Sequence, residues 1–105
     1  MKRGEIYRVA LDPTLGSEQS GFRYAAIVSL DSMNQALNTV IIVPLTTKKK
    51  DWPTRVNTFF NGIEGQAQCE QIRVVAKSRL KEIAGLITKV ELAKIRIVFR
   101  QMLVE

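Results

Sequence analysis

The chain has 105 residues, of which 46% are hydrophobic and 25% charged, and its 16 lysines and arginines against 10 acidic residues give a net charge of +6. This length and balance predict a single globular domain over residues 1–105 and argue against global disorder. Histidine is absent from the sequence, which excludes Ser-His-Asp and Cys-His catalysis and almost all zinc sites. The positive charge favours a polyanion or an acidic protein as partner.

The single cysteine and the first residues of the chain indicate where the protein is found. Cys69 has no second cysteine to pair with, which fits a reducing compartment and predicts a small buried side chain. Residues 1–5 lack the apolar core of a signal peptide, and no apolar run is long enough to cross a bilayer. We therefore expect a cytoplasmic protein without a membrane partner.

Two predicted strands flank a polar loop near the N-terminus. Residues 5–11 alternate in polarity, whereas residues 24–30 are nearly all apolar and predict a central strand that is buried on both faces. The loop from Gly16 to Arg23 carries an acid, an amide, two hydroxyls and a cation. Such a loop is where a small domain often places its chemistry. The alternative is a solvated hairpin loop in which Glu18 and Arg23 pair with each other.

The strongest predicted strand covers residues 39–46, which are β-branched almost throughout. Pro44 should mark an edge, a bulge or the exit from pairing. Thr46 then lies at a strand terminus, where side chains often enter a site. The alternative is a threonine hydroxyl that bonds to its own neighbouring backbone.

A basic loop with the only tryptophan follows this strand. Three successive lysines, Lys48 to Lys50, stand close to Trp52. They are either a solvated loop or a surface that holds phosphates and stacks a base. The residues alone leave both interpretations open.

The remainder of the chain predicts further strands and one good helix. Residues 54–60 and 65–75 have strand patterns, and residues 79–83 suggest a short helical turn. Thr88 and Glu91 form a capping box, after which apolar residues recur at helical spacing. The predicted fold is mainly β with α (α+β): a small, curved antiparallel sheet of five or six strands closed by the C-terminal helix.

Three polar features could form one site: the loop with Glu18 and Arg23, the strand end at Thr46, and the strand that carries Gln68 and Glu70. If they meet, the set suits RNA cleavage by the ribose 2′-hydroxyl. That reaction needs a base for the hydroxyl proton, an acid for the leaving 5′-oxygen and positive charge for the phosphorane. A guanidinium binds two phosphate oxygens at once, and a threonine hydroxyl can donate a further hydrogen bond.

Four segments together resemble the motifs of MazF/PemK-type toxins, in the right order over nearly the whole chain: Met1–Tyr7, Leu11–Arg23, Val43–Thr46 and Glu70–Arg73. The resemblance implies a small SH3-like barrel of the CcdB/PemK type and a cytoplasmic toxin of a type II toxin–antitoxin system. It implies a homodimeric mRNA interferase that needs neither metal nor cofactor. Such an endoribonuclease cuts single-stranded RNA at short sequences and leaves 2′,3′-cyclic phosphate and 5′-hydroxyl ends. The implied protein partner is an antitoxin that lays an acidic, disordered segment across the RNA groove.

The resemblance also assigns roles to residues by motif position. It makes Arg23 the catalytic arginine and Thr46 the catalytic threonine, and Glu70 falls where some members have an acidic general base. Arg23 is expected to stabilise the charged transition state, because a guanidinium gives up its proton poorly. Thr46 would assist, with Glu70 or Glu18 as the base.

Further residues are expected to contact the RNA. By the same resemblance, Glu18 and Gln19 border the RNA site. Ser17 and Gln68 stand where some members have a histidine and an arginine. This chain departs from the family at Tyr24, since proline usually follows the catalytic arginine.

Two other functions compete with the nuclease. One is a CcdB-like DNA gyrase poison, which shares the implied fold but typically contacts gyrase through a tryptophan-containing tail; this chain ends Met102-Leu103-Val104-Glu105. The other is a non-catalytic RNA-binding module of the same fold. Incubation with a long single-stranded RNA separates cutting from binding alone.

Overall fold

A computed structural model describes residues 1–11 and 22–105, with the backbone alone for Phe22. Ser17, Glu18 and Gln19 therefore lie outside the described residues. The described part contains seven strands and two helices: β1 Glu5–Ala10, β2 Phe22–Ile27, α1 Asp31–Ala36, β3 Thr39–Thr46, β4 Arg55–Phe60, β5 Ile63–Gln68, β6 Arg73–Ala76, β7 Leu80–Leu86 and α2 Lys89–Leu103.

The seven strands form one antiparallel sheet in the order β4-β5-β3-β2-β1-β7, with β6 also paired to β3. Strand β3 has three neighbours because its second edge is divided along its length. Residues 39–42 pair with β6, whereas Leu45 and Thr46 pair with β5. Pro44, which has no N–H to donate, lies where this edge passes from one neighbour to the other, in agreement with the expected exit from pairing.

Both faces of the central strands are buried. On one face, Ala26 and Val43 pack with Ile95 of α2, which is fully buried. On the other face, Ala25 and Ile27 belong to a second apolar cluster with β6 and the start of β7. The prediction that β2 is a central strand buried on both sides is confirmed.

The sheet curls into a half-barrel that α2 closes. The capping box is present as predicted: Glu91 N donates to the Thr88 hydroxyl at 3.0 Å, and Thr88 N donates to Glu91 Oε1 at 2.9 Å. The other oxygen of Glu91 accepts a hydrogen bond from Phe59 N at 2.9 Å, which ties the helix to the edge strand β4. Asn61 Nδ2 donates to Ala84 O at 2.7 Å and joins the β4–β5 turn to β7. The predicted small, curved antiparallel barrel with a C-terminal helix is thus confirmed.

One local prediction is wrong. Residues 79–83 do not form a helical turn beyond the 3-10 turn Lys77–Arg79, and Leu80–Leu86 is strand β7. The edge of β1 offers this segment a pairing partner, as in Tyr7↔Ile83 and Val9↔Leu80. Tertiary pairing of this kind overrides local helix propensity.

Within residues 1–11 and 22–105, no helix combines the length and apolar character that crossing a bilayer requires.

Candidate active site

The strand register brings Arg23 and Thr46 to the same end of neighbouring strands. Strands β2 and β3 pair antiparallel at Ala25↔Pro44, the last pair of their ladder on this side. Arg23 and Thr46 each lie two residues beyond that pair. Because side chains alternate along a strand, positions two residues apart share a face of the sheet. The structure therefore brings together the two residues predicted to be catalytic.

Arg23 reaches a third strand through its side chain. Its exposed guanidinium donates a hydrogen bond from Nη2 to Gln68 Oε1 at 2.6 Å, at the end of β5. A guanidinium has five N–H donors, so this contact orients Arg23 through only one of them. The predicted substrate-binding residue Gln68 thus holds the predicted catalytic arginine in place.

The hydroxyl of Thr46 makes the local contact that the sequence offered as the alternative. Lys48 N donates to Thr46 Oγ1 at 3.1 Å. The hydroxyl is the acceptor, so its own proton can still be donated. The backbone of Thr46 is also closely packed: a Cβ built at Gly65 on β5 would lie 2.5 Å from the Thr46 carbonyl oxygen. Glycine at position 65 lets β3 and β5 approach this closely at Thr46.

Glu70 lies in the same region, but both its oxygens are already engaged. Thr54 Oγ1 donates to Oε1 and Arg55 Nε donates to Oε2, each at 2.8 Å. Partial burial alone would raise the pKa of Glu70, but the hydrogen bonds from Thr54, from the backbone and from Arg55 outweigh it and hold the pKa below its ordinary value. A general base needs a free oxygen and a pKa near the working pH. This environment favours a structural role over the expected role as base.

Arg55, which sequence reasoning did not single out, is the centre of this cluster. Its side chain is only 5% exposed, and Nη1 donates to Lys48 O at 3.3 Å and to Gln66 Oε1 at 3.2 Å. Its guanidinium carbon lies 4.6 Å from the centroid of the Trp52 ring, in a cation–π contact. The proximity of a cation and the only tryptophan in the sequence was the one available signal.

Gln66 anchors the lysine loop to the sheet. Its side-chain Oε1 accepts from Lys50 N at 2.9 Å, and its Nε2 donates to Lys50 O at 3.1 Å. The amide therefore pairs with the backbone of Lys50 as a neighbouring strand would. The three lysine side chains of the loop remain exposed, and Lys49 pairs with Glu64 at 3.2 Å on the surface. The loop is basic and exposed, and its backbone is held in place.

A pocket of about 130 Å³ opens beside Thr46 on the helix side of the sheet. Tyr24 lines it and packs edge to face on Phe60, with the ring centroids 5.6 Å apart. The full lining is Tyr24, Leu45, Thr46, Thr47, Thr58, Phe60, Ile63 and Gly65. Sequence reasoning noted Tyr24 only as a departure from the family and did not foresee the pocket.

Cys69 is the only cysteine in the sequence and the remaining candidate nucleophile. Cys69 is fully buried, and burial, followed by the nearby charge of Glu70, raises the pKa of its thiol to about 11. This agrees with the predicted packing role, since the thiolate is the nucleophile. Among the residues that the structure describes, no three side chains of the metal-binding types come together.

Comparison with known proteins matches residues 2–103 to the family of PemK-like, MazF-like toxins of type II toxin–antitoxin systems. The chain is 36% identical to the endoribonuclease MazF9 of Mycobacterium tuberculosis, over 90% of this chain and 89% of that protein. It is also 36% identical to the endoribonuclease MazF of Staphylococcus saprophyticus, over 78% of this chain and 73% of that protein. Among solved structures, an endoribonuclease in complex with its cognate antitoxin from a mycobacterial species superposes with a TM-score of 0.83. That match has 27% identity and covers 98% of this chain and 94% of the other.

Proposed function

This chain belongs to the PemK-like, MazF-like toxins of type II toxin–antitoxin systems and is an endoribonuclease, and from this premise we propose that it cleaves single-stranded RNA where Arg23, Thr46 and Gln68 meet. The observation that carries the proposal is the exposed guanidinium of Arg23 at the same strand end as the Thr46 hydroxyl. A phosphodiester placed there would meet both groups.

The reaction is a transesterification within the RNA. The 2′-oxygen of the nucleotide before the scissile phosphate bonds to phosphorus while the bond from phosphorus to the 5′-oxygen breaks. The 2′-hydroxyl proton passes to a base and the leaving 5′-oxygen gains a proton, which gives a 2′,3′-cyclic phosphate and a 5′-hydroxyl. No metal enters this scheme.

Each side chain has a distinct role in this scheme. Arg23 binds the non-bridging oxygens, whose negative charge grows in the transition state, and Thr46 donates a further hydrogen bond. Gln68 positions Arg23. Glu18 is the better of the two candidate bases, because both oxygens of Glu70 already accept hydrogen bonds. Ser17 and Gln19 stay in the proposal as residues that border the RNA.

The proposal includes the protein partners. A net charge of +6 suits both RNA and an acidic antitoxin segment, and the mycobacterial relative is an endoribonuclease in complex with its cognate antitoxin. We extend this to a cytoplasmic homodimer of a single-domain chain whose RNA groove an antitoxin covers.

Incubation of Arg23→Ala protein with a long single-stranded RNA, with a chelator present, tests the proposal. Loss of one preorganised donor of this kind lowers kcat by about 100- to 1,000-fold, so fragments should nearly vanish. Arg96→Ala is the matched control, because it removes an exposed arginine from α2 and should cut normally. End analysis of the wild-type products should find cyclic phosphates. Near wild-type cutting by folded Arg23→Ala protein would overturn the site, and binding without cutting by the wild type would favour an RNA-binding module.

A further inference from the structure

We propose that the indole of Trp52 is the surface on which one base of the RNA stacks near the scissile phosphate, and that this contact lowers KM with little effect on kcat. The inference rests on the proposed RNA cleavage and adds to it a residue that binds the substrate. It is carried by the exposure of the indole, the buried guanidinium that supports it, the charge around it and its place on the sheet face that carries Arg23.

The Trp52 ring is exposed and yet supported from within the protein. Trp52 is 48% exposed. Its ring centroid lies 4.6 Å from the guanidinium carbon of Arg55, whose side chain is only 5% exposed. That guanidinium donates to Glu70 Oε2 at 2.8 Å and to Gln66 Oε1 at 3.2 Å. The indole therefore packs on a cation that is itself held by the sheet.

The backbone of Trp52 is held as well. Arg55 N donates to Trp52 O at 3.1 Å, and Pro53, which follows Trp52, has a fixed φ. A ring that is held before binding loses little conformational freedom when a base packs on it. Every base has a π face, so a surface of this kind accepts all four bases.

The charge around the indole suits a nucleotide. Lys50 Nζ lies 5.7 Å from the centroid of the Trp52 ring, and the Lys50 side chain is exposed. Residues 48–53 carry three lysines against one acidic residue, Asp51. An exposed ammonium group beside an exposed aromatic ring can pair with a phosphate of the nucleotide whose base stacks on that ring.

Arg55 and Gln68 place the indole on the same face of the sheet as Arg23. Arg55 of β4 lies directly opposite Gln68 of β5, and residues paired in this way direct their side chains to one face. Gln68 Oε1 accepts the hydrogen bond from Arg23 Nη2 at 2.6 Å. The side chains of Gln68 and Arg55 thus form a continuous path from Arg23 to the Trp52 ring.

Thr46 belongs to this face as well. It lies opposite Gln66 of β5, which is two residues from Gln68 and therefore shares its face. The hydrogen bond from Arg55 Nη1 to Gln66 Oε1 agrees with this alternation. An RNA strand whose phosphate lies at Arg23 and Thr46 is therefore bound on the same surface as the indole, two side chains away from it.

Replacement of Trp52 tests the inference through the separation of KM from kcat. A stacked base lies away from the reacting atoms, so the contact is equal in the ground state and the transition state and acts on KM alone. Trp52→Ala should raise KM for a short single-stranded RNA about 5- to 100-fold and keep kcat within about 3-fold of wild type. Phe59→Ala is the matched control, because it removes an exposed aromatic side chain near the opposite end of β4 and should leave both constants unchanged.

RNAs that are identical except for one abasic site identify the stacked base. At one position near the cleaved bond, loss of the base should raise KM of the wild type by about the factor that Trp52→Ala produces. The same abasic RNA should have little further effect on Trp52→Ala, because both changes remove one contact. Multiplicative effects of the two changes at every position would overturn the inference.

The outcomes separate this inference from the proposed function. If folded Arg23→Ala protein still cuts, the RNA site itself is wrong. If Arg23 is required but Trp52→Ala has the KM of wild type, only the stacking surface is overturned. A lower melting temperature of Trp52→Ala with an unchanged KM would make the indole a cover for Arg55 and nothing more.

A glutamate-rich peptide is the second probe. If Trp52→Ala loses affinity for this peptide while its KM for every RNA stays that of wild type, the indole is a peptide site and the inference is overturned. Thermal melting checks the folding of each variant. Trp52→Leu keeps an apolar side chain over Arg55 but has no aromatic face, so it should show the same base-dependent rise in KM and keeps the test decisive if Trp52→Ala unfolds.

Discussion

Replacement of Glu70 by glutamine distinguishes a catalytic base from a structural anchor. The carboxylate accepts hydrogen bonds from Thr54 and from Arg55, whose side chain is only 5% exposed. Glutamine keeps one acceptor oxygen but turns an NH₂ toward the other donor and removes the negative charge. The part lost corresponds to one hydrogen bond to a charged group, so we expect the free energy of unfolding to fall by about 1.5–2 kcal/mol. Glu70→Ala, which leaves a buried guanidinium without a counter-charge, should lower it by about 3 kcal/mol or more.

Urea unfolding at fixed protein concentration measures this loss, and the same samples are assayed for RNA cleavage. Glu64→Gln is the matched control, because Glu64 pairs with Lys49 on the surface and such pairs contribute about 0–1 kcal/mol. We expect Glu70→Gln to melt about 5–10 °C lower and still to cut RNA within a few-fold of wild type at a temperature where it is folded. A loss of cleavage of about 100-fold or more, with unchanged stability, would refute the structural role and restore Glu70 as base.

The pH dependence of stability gives an independent check on the same carboxylate. The folded-state pKa of Glu70 is lowered from its ordinary value of 4.5, so its stabilising contribution is fully present above that value. The contribution is lost as the pH falls through the folded pKa. The difference in unfolding free energy between wild type and Glu70→Gln should therefore shrink below about pH 4.5; a constant difference down to pH 2 would contradict the assigned contacts.

Three further predictions follow from other contacts. Thr88→Ala should lower the free energy of unfolding by about 1 kcal/mol. Glu91→Ala should lower it further, because Glu91 also accepts a hydrogen bond from Phe59 N on the edge strand β4. Equal losses of unfolding free energy in urea would argue against that second contact. Gly65→Ala, assayed at a temperature where the variant is folded, should have a kcat at least 10-fold lower than wild type, because its Cβ would lie 2.5 Å from the Thr46 carbonyl oxygen. An unchanged kcat would mean that this strand end is not rigidly set. Cys69, with a thiol pKa raised to about 11 by burial, should resist iodoacetamide at pH 8 until urea unfolds the chain, and rapid alkylation of native protein would contradict its burial.

The parts of the fold that follow from local pattern could be predicted from the sequence. The capping box at Thr88 and the apolar run of β2 depend on neighbouring residues, and both are present in the structure. Strand β7 was not predicted, because its residues become a strand through pairing with β1, which is distant in sequence. A local pattern does not contain information on such a partner.

The residues of the candidate site also differ in how far the sequence could identify them. Arg23 and Thr46 carried motif signals, and the register of β2 and β3 explains how two residues 23 positions apart in sequence lie at the same strand end. Arg55 had no such signal, since its importance comes from burial against groups on three different segments. The resemblance made Glu70 a candidate base, but only the structure shows that its two oxygens already accept hydrogen bonds.

The attachment of Lys50 to Gln66 has a consequence for how this scaffold can diversify. Between Lys48 and Asp51 the segment is held through backbone groups: Gln66 bonds to the N–H and the C=O of Lys50, Arg55 donates to the C=O of Lys48, and Lys48 N donates to the Thr46 hydroxyl. Any amino acid other than proline can supply these groups, so the side chains at positions 49 to 51 can vary without loss of these hydrogen bonds. Substitutions at these three positions therefore change the charge of this exposed loop while its backbone keeps its place.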